Sequence, residues 1–114
     1  MPVVRVVSPQ LRLFLKFIRR LHFGRIEGVV VRSGVPLETP APRFFCERKI
    51  GIVLPTVTDT DFDSYCRNPA VSSFITYVYE LGDGVISSLE VQHGLPFKIQ
   101  ITGHGYMTEE PGLR

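Results

Sequence analysis

The chain has 114 residues, 44 % of them apolar, with eight Phe, four Tyr and a net charge of +2. That length suits one domain, and the aromatic content argues against a disordered chain. No run of 18 apolar residues occurs to cross a membrane as a helix, and residues 1–7 lack the long apolar stretch and cleavage site of a secretory leader, so the expected compartment is the cytoplasm.

Val3 to Val7 reads as an extra edge strand. Ser8-Pro9 then opens a helix: a Ser oxygen accepts from a free helix N–H, and Pro fits the next position because its missing donor would have no partner. Apolar residues at Leu11, Phe14, Leu15, Ile18 and Leu21 form the stripe of an amphipathic helix. Gly24 follows, placed to end that helix in a left-handed conformation. Val29 to Val31, the turn Ser33-Gly34 and Val35 to Leu37 read as a hairpin. Glu38-Thr39-Pro40-Ala41-Pro42 interrupts its second strand. That strand is expected to resume at about Arg43 and run to about Leu54, with Phe44, Cys46, Ile50 and Ile52 on one face and Arg48 breaking it. Pro55 to Tyr65 reads as a linker.

The same order then returns. Asn68-Pro69 repeats the cap, and Val71, Phe74, Ile75, Val78 and Leu81 repeat the stripe. Gly84 stands where Gly24 stood. Leu89 and Val91, the turn His93-Gly94, and Leu95, Phe97, Ile99 and Ile101 alternate with polar residues as a half-exposed antiparallel hairpin. Residues 14–37 align without a gap on 74–97 at an offset of 60, and seven of the 24 pairs are identical, Phe14/Phe74, Gly34/Gly94 and Pro36/Pro96 among them.

The sequence therefore predicts an α+β two-layer sandwich built from two helix–strand–strand units, with a four-stranded antiparallel sheet, two helices on one face and a pseudo-two-fold axis. Its repeats span about 8–54 and 68–103, with a linker at 55–67 and a mobile tail at 104–114. One unit is too small to bury its own core, so the whole chain reads as one domain.

Chemistry-bearing patterns are sparse. Arg12, Lys16, Arg19 and Arg20 lie on the first helix opposite its apolar stripe, and Arg25 follows. The positions 60 further on are Ser72, Thr76, Tyr79, Glu80 and Val85, so the fold does not need that charge. Such a stripe suits phosphates or an acidic partner. Residues 1–50 carry a balance of +7 and residues 51–114 one of −5, a split that suits attraction between surfaces. Asp59, Asp61 and Asp63 resemble the opening of a calcium loop, but Ser64 and Ala70 occupy the positions where such a loop needs Gly and Glu. His22, His93 and His104 lack metal-ligand spacing. Cys46 and Cys66 read as buried free thiols. No nucleophile motif, cofactor motif or metal set is indicated, and the balance leans away from an enzyme. The expected function is a protein-interaction module, self-associating through open sheet edges. The alternatives are nucleic-acid binding by the basic helix and a small-ligand or enzymatic pocket between the repeats.

Overall fold

A computed structural model of the chain describes residues 7–51 and 62–102. Eight elements run in order: α1 (Pro9–Leu21), β1 (Gly24–Arg32), β2 (Val35–Pro36), β3 (Arg43–Cys46), α2 (Phe62–Arg67), α3 (Pro69–Leu81), β4 (Gly84–Gln92) and β5 (Leu95–Thr102). The fold is α+β, with an antiparallel sheet and three helices among the described residues.

Both long helices start as their caps dictate. The Ser8 hydroxyl accepts from the Leu11 amide at 3.1 Å, and the Asn68 side chain accepts from the Ala70 amide at 2.8 Å. Each buries one stripe: Leu11, Leu15, Ile18 and Leu21 on α1, Val71, Phe74, Ile75 and Val78 on α3. Those four side chains contribute on the order of 10 kcal/mol gross per helix before chain entropy is subtracted. They join Ile26, Val29 and Val31 of β1 and Ile86, Leu89 and Val91 of β4 in one apolar cluster.

β1 and β4 are the central antiparallel pair. Gly24 faces Val91 and Val31 faces Gly84; Ile26 faces Leu89 and Val29 faces Ile86. Adding 60 to one member of each pair and subtracting 60 from the other turns one pair into another. The hairpin turns behave alike, with Ser33 and Gly34 at φ 52 and 74, and His93 and Gly94 at φ 56 and 72, as a two-residue turn with both central φ positive requires. Each turn reaches the end of the other segment's helix. The Gly94 amide donates to the His22 carbonyl and the Gly34 amide to the Gly82 carbonyl, both at 2.8 Å.

Several expectations are corrected. Gly24 and Gly84 are not helix caps; they open β1 and β4, and the caps are His22 (φ 69) and Gly82 (φ 67). Gly24 is required by close approach, since a Cβ there would sit 1.9 Å from the Phe45 carbonyl oxygen. The expected long strand from Arg43 ends at Cys46, and Phe44, Cys46 and Ile50 are exposed rather than inward. The interrupted strand therefore becomes two short ones, β2 and β3, laid successively along the same side of β1, which gives five strands instead of four. The expected linker contains α2, whose Phe62 and Tyr65 are buried. Phe97 does not face the core. Glu90 pairs with Lys98 but Val91 with Pro96, so Phe97 is the extra residue of a bulge and is 62 % exposed. Cys46 is exposed and Cys66 half-buried, and both are free. The expected edge strand at Val3 to Val7, Ile52 to Leu54, Asp59 and Asp61 and the tail from 103 lie outside the described residues, apart from Val7, which packs against the core.

Candidate functional site

The basic residues of α1 meet α2. The Arg12 guanidinium lies 4.3 Å from the centre of the Phe62 ring, the Lys16 ammonium 5.9 Å from the same ring, and the Arg19 guanidinium 5.0 Å from the Tyr65 ring. Cations over ring faces are attracted by the π quadrupole. Phe62 and Tyr65 are three residues apart on α2, so one short helix presents both rings to the basic stripe. Tyr65 also donates its hydroxyl to the Gly94 carbonyl at 2.7 Å. Burial pushes its ionisation above the ordinary tyrosine range, with Arg19 pulling weakly the other way. Burial, followed by the neighbouring Asp63, likewise raises the Cys66 thiol, which disfavours thiolate chemistry there.

Arg20 is exposed at the end of α1, and Arg25 stands apart on β1. Arg25 pairs with Glu27 at 2.8 Å, and its guanidinium sits 4.6 Å from the Phe45 ring. The five basic candidates are thus divided. Three lie on the aromatic face of α2, one at the helix terminus and one, exposed, on β1 beside the inward-facing Ile26. Asp63, the described member of the acidic triplet, is exposed in the first turn of α2.

Sequence spacing did not foresee one cluster. The centres of the His22 and His93 rings lie 6.2 Å apart, and Phe23 stands edge to face with each at 4.8 Å between centres. The reciprocal turn-to-cap bond between Gly94 and His22 draws them together. Among the described residues no three His, Cys, Asp or Glu side chains gather as a metal site.

Two surface features stand out. The first is a cleft of about 280 Å³ between α1 and the proline-containing loop after β2. Leu13, Phe14 and Phe17 form one wall, Pro36, Leu37, Pro42 and Phe44 the other, Ile26 the floor, and Gln10 and Glu38 supply its polar groups. The Phe17 and Phe44 rings meet edge to face at 5.1 Å. This cleft lies within the first helix–strand–strand segment; a second one, of about 360 Å³ and more polar, does lie at the junction of the two segments, with Arg25 and Phe45 on one side and Glu90 and Gln92 on the other. The second feature is the outer edge of β5, which no described strand pairs.

No helix among the described residues is long and apolar enough to cross a membrane. Comparison of the chain with protein-family models, with curated proteins and with solved structures returned no match.

Proposed function

We propose that this chain is a doubled helix–strand–strand unit serving as a protein-interaction module, and that it associates with further copies of itself through the open edge of its sheet. The observation that carries this reading is the unequal treatment of the two sheet edges. Along β1 the edge is blunted: it is split into β2 and β3, separated by a loop with Pro40 and Pro42, and flanked by Arg43. Breaks, prolines and charges are the means by which edges avoid pairing. β5 is one continuous run of eight residues; its bulge at Phe97 and its one charge at Lys98 lie near its start, and residues 99–102 beyond them carry no proline and no charge. No described strand pairs this side of β5, which leaves its N–H and C=O groups there available to another strand. The doubled unit is supported by the β1–β4 register, which is unchanged by the offset of 60, and by the reciprocal turn-to-cap bonds.

Hydrogen exchange of residues 97–102, followed across protein concentration, tests the self-association reading. Protection that rises with concentration in this stretch supports it; exchange unchanged at every concentration rejects it.

A further inference from the structure

We infer that copies of this chain join head to tail, with Phe97 of one copy seated in the cleft between α1 and the proline loop of the next, and Lys98 paired with Glu38. This rests on the self-association proposed above, not on backbone pairing at β5, and it names two side-chain surfaces that would carry that association.

The hole and the knob are complementary in chemistry. The cleft is walled by apolar and aromatic side chains, and Glu38 is the one charge in its described lining. Leu13 and Phe44 at its mouth are 56 % and 55 % exposed, a clustered apolar patch rather than a scattered one. Its volume of about 280 Å³ has room for a single aromatic ring. The knob is built by the β5 bulge, which leaves the Phe97 ring in solvent with the exposed cation Lys98 next to it. An apolar hole with one carboxylate thus matches an apolar knob with one ammonium on the same polypeptide. That match favours a second copy over a foreign partner.

Their placement decides the symmetry. The knob belongs to β5 at one edge of the sheet, and the cleft borders β2 and β3 at the other. Two different patches that meet make a heterologous contact, which leaves a free knob at one end and a free hole at the other. Growth therefore continues beyond a dimer.

Two variants separate these possibilities. Phe97→Ser removes the knob and leaves the cleft. Leu13→Lys fills the cleft mouth with a charge that repels Lys98 and leaves the knob. Both positions are exposed, and circular dichroism checks that each variant folds. Light scattering of the wild type should show masses that climb past the dimer with concentration. Each variant alone should stay monomeric, and an equimolar mixture should form a one-to-one pair and stop there. Glu38→Lys alone should raise the association midpoint about five-fold, and combining it with Lys98→Glu should bring it back. A wild type that stops at a dimer, with both variants still dimerising alone, overturns the head-to-tail contact and leaves self-association standing. A wild type that stays monomeric removes both.

Discussion

Phe14 and Phe74, at equivalent positions 60 apart in the sequence, stack on each other with ring centres 5.9 Å apart and planes inclined by 26°. Each belongs to the apolar stripe of its own helix, so this ring pair joins α1 to α3 directly. Phe74 is buried and Phe14 half-buried. Phe74→Ala should therefore cost about 3–5 kcal/mol of stability and Phe14→Ala about half of that. A double-mutant cycle in urea should give a coupling of about 0.5–1.5 kcal/mol between them, and additive effects would show that the stack contributes nothing of its own.

The two helices end in the same backbone conformation with different residues. His22 has φ 69 and ψ −59, with the Phe23 amide donating to the Leu21 carbonyl at 2.7 Å, and Gly82 has φ 67 and ψ −84. This is the geometry of a γ-turn that side chains disfavour. A Cβ added at Gly82 would meet nothing within 4 Å, so Gly82→Ala isolates the backbone penalty. The expected loss is about 1–2 kcal/mol, read as a lower urea midpoint with unchanged slope.

Arg48 closes the carbonyl end of α1. Its guanidinium donates to the Leu21 carbonyl at 2.6 Å and to the Arg20 carbonyl at 3.0 Å. A cation is favoured there by the helix dipole as well as by the free carbonyls. Arg48→Ala should cost about 1 kcal/mol at low ionic strength and less at 1 M salt, where exposed charges are screened. A salt-independent loss would mean that the side chain acts by packing alone.

Tyr65 ties α2 to the turn at Gly94. Tyr65→Phe keeps the ring beneath Arg19 but deprives the Gly94 carbonyl of its hydroxyl donor, at a cost of about 1–2 kcal/mol. The pH dependence follows from burial. In the folded chain its ionisation is shifted above the usual value of about 10, so its stabilising share is whole below pH 10 and fades as pH rises toward the folded value. A tyrosine absorbance titration should show one tyrosine that ionises only as the protein unfolds. That component should vanish in Tyr65→Phe.

Signals confined to one element were legible in the sequence. Ser8-Pro9 and Asn68-Pro69 marked the true starts of α1 and α3, and Ser33-Gly34 and His93-Gly94 marked the true turns. Signals that depend on a neighbour were not. α2 has six residues, too few to display a helical period, and Phe62 and Tyr65 become recognisable only as rings beneath Arg12, Lys16 and Arg19. Alternation assigned Phe97 to the core because period two carries no trace of a bulge, and the pairing with β4 turns the ring outward. Gly24 was read as a cap although its smallness serves the approach of Phe45 from β3, 21 positions away. The cleft was invisible for the same reason: its walls come from α1 and from a proline loop whose path the local sequence does not specify.

The claim that this chain associates with itself is tested most directly by sedimentation equilibrium of the intact wild-type protein over a wide concentration range. The account predicts an average mass that rises steadily with concentration. A mass fixed at 12.9 kDa throughout would contradict it.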